Sequence, residues 1–206
     1  LGSVSVGANP RHLSISADGA SVYVSRFITP ALPGESTAAV TTTPTNGAEV
    51  VVIAAGSMSF SRTIVLQHSD KIDSENQGRG IPNYLGAATI SPDGSQAWVP
   101  SKQDNIKRGA LRDGSGLNFQ NTVRAVSSRI VLASGQEDLA RRVDHDNASV
   151  ASAAVYDARG VYLFVAFETS REAAVVDAHA GFQPMRFAFG RAPQGLALSA
   201  DGKTLY

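Results

Sequence analysis

The chain has 206 residues, with 18 Lys and Arg against 18 Asp and Glu, so its formal net charge is zero. That balance offers no basic footprint for nucleic acid and no attraction to an anionic membrane, and neither is expected as a partner. Cysteine is absent, which excludes disulfides, thiolate metal sites, a Cys nucleophile and covalent c-type haem attachment within these residues. No apolar run approaches the roughly 18–20 residues that a spanning helix needs.

Apolar residues come in short, often alternating stretches, which points to strands rather than helices. The first is a hairpin around Gly19, reading Leu13-Ser14-Ile15-Ser16-Ala17-Asp18-Gly19 and closing on Val22-Tyr23-Val24. Strands are expected over 22–27, 49–54 and 63–67. A second hairpin centres on Gly94, with Ala88-Thr89-Ile90 before the turn and Ala97-Trp98-Val99 after it. Strands at 96–101, 129–132 and 139–143 follow. The third copy, around Gly160, pairs Ala154-Val155-Tyr156 with Leu163-Phe164-Val165, and strands are expected at 161–167, 173–177 and 185–189. A fourth copy runs from Leu196 through Asp201-Gly202 to Leu205-Tyr206. Three of the four carry Asp-Gly at the turn, where glycine accepts positive φ and the Asp carboxylate can bond the turn backbone. Four hairpins align without gaps.

The four glycines are 75, 66 and 42 residues apart. The last interval matches one four-stranded propeller blade of about 40–45 residues, and the longer ones fit the same unit with insertions at 28–48, 69–80 and 102–122. The expected fold is therefore all-β: residues 1–206 form a single segment of a β-propeller of four-stranded antiparallel blades. About three complete blades and partial ones are present, and the segment is expected to belong to a longer chain whose ring closes with about 6–8 blades. If each blade runs from its inner strand outward, all three insertions fall on one face, where binding loops usually gather.

The stretches Gly7–Ser25 and Gly190–Tyr206 follow the pattern G-x-x-P…ISxDGxxVYVS and resemble the YVTN family of propeller repeats. That resemblance implies export to the periplasm or the cell surface. The chain from Ser101-Lys102-Gln103-Asp104-Asn105 through Gly190-Arg191-Ala192-Pro193-Gln194-Gly195 is also similar to large bacterial proteins that join such a propeller to a di-haem cytochrome c peroxidase-like region. The resemblance implies haem c elsewhere in the protein, none in this segment, and a cytochrome-like domain or another protein docked on the long-loop face. It implies no catalytic residue here.

Three groups are candidates for contact. Lys102, Asp104, Asn105, Arg108, Arg112 and Asp113 mix cations and carboxylates in one insertion, suited to an anionic ligand or a partner domain. His12 follows Pro10-Arg11 at the start of an inner strand, near the expected channel mouth. Asp144-His145-Asp146 offers two carboxylates and an imidazole in succession, followed by Asn147, a set suited to calcium or another cation. It lacks the glycine and glutamate of an EF-hand loop. A competing reading is a lactonase-like propeller hydrolase drawing on His12, Arg26, Lys102 and Glu168, which no spacing ties together.

Overall fold

The computed structural model describes residues 2–34, 45–107, 110–111 and 122–206. Strands β1 (Pro10–Ile15), β2 (Ser21–Arg26), β3 (Gly47–Ala54) and β4 (Ser59–Gln67) make the first blade, antiparallel and ordered as in the sequence. A hairpin of β5 (Ser69–Ser74) and β6 (Gln77–Asn83) follows. The second blade has a short inner strand β7 (Thr89–Ile90) and a long β8 (Gln96–Asp104). After β8 come a small hairpin, β9 (Ile106–Lys107) with β10 (Ala110–Leu111), and then β11 (Val123–Val131). The outer strand of this blade is broken into β12 (Gln136–Glu137) and β13 (Val143–Asp144). Strands β14 (Ala151–Tyr156), β15 (Tyr162–Phe167), β16 (Glu172–Asp177) and β17 (Phe182–Ala188) make the third blade, again in sequence order. A single bridge between Leu198 and Leu205 marks the fourth hairpin.

The turns show why the repeat is written as it is. In three copies a serine three residues before the glycine donates to the Asp carboxylate: Ser16 to Asp18 at 2.5 Å, Ser91 to Asp93 at 2.6 Å and Ser199 to Asp201 at 2.6 Å. These bonds and backbone N–H donors hold all three carboxyls below the usual range, Asp93 at about 2. The third copy lacks Asp before Gly160, and Asp157 stands in the serine's place. Its Oδ1 accepts from Val161 N and Tyr162 N at 2.7 and 2.8 Å, so one carboxylate closes the turn alone.

Alternation along each strand gives every blade two apolar faces. Tyr23, Val50, Val52, Ile64 and Leu66 of blade one pack on Ala88, Ala97, Val99, Ile130 and Leu132 of blade two. Trp98, Ala125 and Val143 pack in turn on Tyr156, Leu163, Val165 and Phe167 of blade three. The back of blade one holds Val22, Val24, Val51 and Ile53, with Val4 and Val6 lying against them.

The outer strand of blade two and the insertions, including 102–122 with its β9–β10 hairpin, depart from the sequence reading. Residues 139–143 were expected as an outer strand, whereas Leu139–Arg141 is a 3-10 turn between β12 and β13. Buried charge explains the break: the chain turns so that Arg142 reaches inward. Its guanidinium donates to Glu137 Oε1 at 2.7 and 2.9 Å, to Gln67 O at 2.5 Å and to Gln103 Oε1 at 2.8 Å. The other Glu137 oxygen accepts from Gln67 N at 2.6 Å. Gln103 Nε2 then donates to the Gly78 and Arg79 carbonyls. One buried ion pair thus ties β4, β8, β12 and the β5–β6 hairpin together. That hairpin is the second departure, since it folds within the insertion expected as a blade-to-blade connection.

Candidate functional site

The end of β8 beyond Val99 overshoots the blade, and β6 pairs with the overshoot: Ile81 opposite Asp104, Pro82 opposite Gln103, Asn83 opposite Lys102. Asn83 organises this corner. Its Nδ2 donates to Asp104 Oδ2 at 2.8 Å, and its Oδ1 accepts from Thr29 N and Tyr84 N, each at 3.0 Å. Thr29 Oγ1 also donates to the Pro82 carbonyl. The start of segment 28–48 is therefore fastened to the same end of β8 as the hairpin.

On this corner sits a four-layer stack. Lys102 Nζ lies 3.9 Å from the Tyr84 ring centre, Tyr84 stacks on Phe27 at 4.6 Å and 16°, and the Arg11 guanidinium lies 4.0 Å from the Phe27 ring. Lys102 also pairs with Asp104 at 3.1 Å. Each layer contributes about 0.5–2 kcal/mol, and together they clamp blade one to blade two. Tyr84 takes φ +54°, a left-handed conformation that costs a side-chain-bearing residue about 1–2 kcal/mol. Tyr84→Ala is therefore expected to lower stability by about 2–3 kcal/mol, and Tyr84→Gly by about 1 kcal/mol less, because glycine removes the strain. Thermal unfolding of the two variants checks this, and equal losses would refute the strain.

Of the sequence-predicted residues, Lys102, Asp104 and Asn105 belong to this corner, and Asn105 is buried with its N–H on the Thr122 carbonyl. Arg108, Arg112 and Asp113 lie outside the described residues. His12 is half-buried on β1 opposite Ser25, its basicity lowered by burial and then by Arg11. Arg26 is taken up by Glu49 and the Ala8 carbonyl, and Glu168 accepts from Gln194. Sequence reasoning missed Asn83, Tyr84 and Phe27 as members of one site. Tyr84 stands in a connection, and nothing in its neighbours signals a stack.

A second cluster lies at the same end of blade two. Arg124, next to the Val123–Asp104 register pair, donates to Asp144 Oδ2 at 2.9 Å, to Ser74 O at 2.5 Å and to Glu75 O at 3.4 Å. It pins the hairpin turn to β11. At Gly78 a Cβ would stand 2.3 Å from Arg124 Nε, so a larger residue there would have to displace the guanidinium. Burial pushes the Asp144 carboxyl up to about 6 despite Arg124 and Lys71, with Asp146 adding to the rise. A cleft of about 250 Å³ opens beside it, lined by Ser74, Thr122, Arg124, Asp144 and Asn147.

His145 is enclosed. Its Nε2 lies 2.9 Å from Ser127 Oγ and its Nδ1 2.8 Å from Gln183 Oε1. The amide oxygen fixes the proton on Nδ1, so Nε2 accepts from the serine hydroxyl. Burial holds the imidazole down to about 4, so it is neutral at physiological pH. Serine, imidazole and a third group in line suggest a hydrolytic relay, but Ser127 is fully buried and offers no oxygen to a substrate. Asp146 uses its carbonyl for Arg186 and its carboxylate for Asn147. The run expected to gather a cation is thus spread over three tasks. Among the described residues no group of three His, Asp or Glu is placed to hold a metal ion. A cation entering the cleft would compete with Arg124 for Asp144.

No protein-family model matches the chain, and no curated protein does. Among solved structures it is similar to the hydrazine synthase of Kuenenia stuttgartiensis, with 15% identity and a TM-score of 0.50, over 98% of this chain and 69% of that one. It is also similar to U3-55K, with 11% identity and a TM-score of 0.55, over 89% of this chain and 41% of that one. Both likenesses are to β-propeller folds, and at such identity they speak for the fold alone. The chain is an all-β protein of the propeller class. No helix among the described residues is long and apolar enough to cross a membrane.

Proposed function

We propose that this chain is a YVTN-type propeller module, exported to the periplasm or cell surface, that acts as a non-catalytic docking scaffold. The partner we assign to it is a c-type di-haem cytochrome or peroxidase-like region, seated on the end that carries Lys102, the β5–β6 hairpin and the long insertions. The observation that carries this reading is the bracing of that end. The Arg11–Phe27–Tyr84–Lys102 stack, the Asn83 corner and the Arg124 and Arg142 contacts all hold irregular segments rigid at one end of the blades. Rigid loops on a stable frame lower the entropy lost on docking. The supporting side chains are engaged with one another rather than converging on an open catalytic centre.

Lysine cross-linking tests the proposal on the protein purified from its source. Lys71 stands on the exposed hairpin, and Lys203 in the turn at the opposite end of the fourth hairpin. Cross-links from Lys71 to haem-bearing peptides, with none from Lys203, are the expected result. Cross-links from Lys203 alone, or a preparation with no haem absorption, would overturn the assignment.

A further inference from the structure

Strand β1 carries one residue too many for its partner. Pro10 lies opposite Arg26 and His12 opposite Ser25, so Arg11 is extra and is pushed out of the ladder as a bulge. Blade three is bulged at the same place: Ala151 lies opposite Phe167 and Ala153 opposite Ala166, and the extra residue is Ser152. The bulge therefore belongs to the blade, whereas the arginine does not. Arg11 is exposed, and its guanidinium is held 4.0 Å over the Phe27 ring. The other cations of this corner have their acids, Arg26 in Glu49 and Lys102 in Asp104. Among the described residues Arg11 has no hydrogen-bond acceptor and no carboxylate. It is an immobilised guanidinium whose N–H edge faces water.

We propose, taking the docking reading as given, that Arg11 receives a side-chain carboxylate of the docked partner, held by two N–H groups side by side. A partner seated over the stack removes water from the guanidinium, and a dehydrated cation is tolerated only against an acceptor of opposite charge. The described residues of this chain supply none, so the partner supplies it. A planar fork matches the two oxygens of a carboxylate in parallel bonds, which an ammonium group cannot reproduce. The Phe27 ring fixes that fork before docking, so less freedom is lost when the pair forms. The bulge supplies the aim, by turning the side chain out of the sheet and onto the ring.

Arg11→Lys, introduced into the protein as its source makes it, puts an amine at this point, and a carbodiimide joins amines to the carboxylates they touch. The expected result is a zero-length cross-link from residue 11 to an Asp- or Glu-bearing peptide outside residues 1–206. No cross-link, or one only to acids within residues 1–206, would overturn the proposal. Cross-links from Lys71 to haem-bearing peptides with none from residue 11 would sink this contact and leave the docking reading standing. A cross-link from residue 11 to a partner without haem would sustain the contact and sink the cytochrome as partner. The unaltered protein gives an independent reading with phenylglyoxal, which modifies arginine. Arg11 should react at least about 10-fold more slowly than Arg159, as for a group mostly engaged by its partner. The Arg159 side chain is 78% exposed in the turn at the other end of blade three. Equal rates would overturn the proposal.

Discussion

Arg142→Met should destabilise the protein by about 3–5 kcal/mol, one of the largest losses expected from any single change. The guanidinium makes four hydrogen bonds to three acceptors, on Glu137, Gln67 and Gln103, and both members of the ion pair are almost wholly buried. Removing the cation strands the Glu137 carboxylate in a dry site and leaves the Gln67 carbonyl and Gln103 oxygen without donors. Loss of the partner costs more than the pair contributes, because an uncompensated charge remains. Glu137→Gln alone should cost less than Arg142→Met, since the amide can still accept. The Arg142→Met/Glu137→Gln double variant should fall well short of the sum of the singles, because the stranded anion is gone. Denaturant unfolding measures these differences, and strict additivity would show that the four contacts do not act as a unit. Hydrogen exchange should also quicken across residues 69–83, since Gln103 passes the constraint on to Gly78 and Arg79.

The second large effect is a pair of opposed pH dependences in adjacent residues. His145 has a folded value of about 4 against 6.5 for the free side chain, so its contribution to stability is present above pH 6.5 and is lost as the pH falls toward 4. The full difference amounts to about 3 kcal/mol. Asp144 behaves oppositely. Its folded value of about 6 lies above 3.8, so the folded state binds its proton more tightly and gains stability as the pH falls from 6 to 3.8. The two effects offset each other between pH 6 and 4. Asp144→Asn should unmask the histidine, making the melting temperature fall more steeply with acid than in the wild type. His145→Gln should leave the aspartate's opposite slope, and its profile should be flatter than the wild type or should rise with acid. Melting temperatures across pH 4–7 decide the matter, and three parallel profiles would refute both assignments.

What could be read from the sequence was whatever repeats locally. The hairpins at Gly19, Gly94 and Gly160, and the third blade's strands, follow from alternation and turn chemistry within a dozen residues. Even the irregular third turn was readable in principle, since Asp157 supplies from the serine position what the missing Asp would have given. The outer strand of blade two was misread because Leu139–Arg141 obeys Arg142, whose partners lie on strands up to 75 residues away. The candidate corner was half legible. Lys102 and Asp104 stood out as charges in an insertion, whereas Asn83, Tyr84, Phe27 and Arg11 join them only through the β6–β8 pairing. Ser127, His145 and Gln183 come from three separate strands and connections, and the repeat carries no trace of their meeting.

The serine–aspartate turns also bear on the order of events as the chain leaves the ribosome. Each closes bonds within six residues, so a hairpin can form as soon as it has emerged, without waiting for the rest of its blade. The junction aromatics cannot settle so early, because Tyr23 meets Ala88 and Trp98 meets Tyr156 only when a further blade has been made. Synthesis thus produces locally finished hairpins whose apolar flanks stay open for the time it takes to add the next blade. A translational pause inside the 102–122 insertion would prolong the exposure of Trp98, and misassembly should be most sensitive to it there.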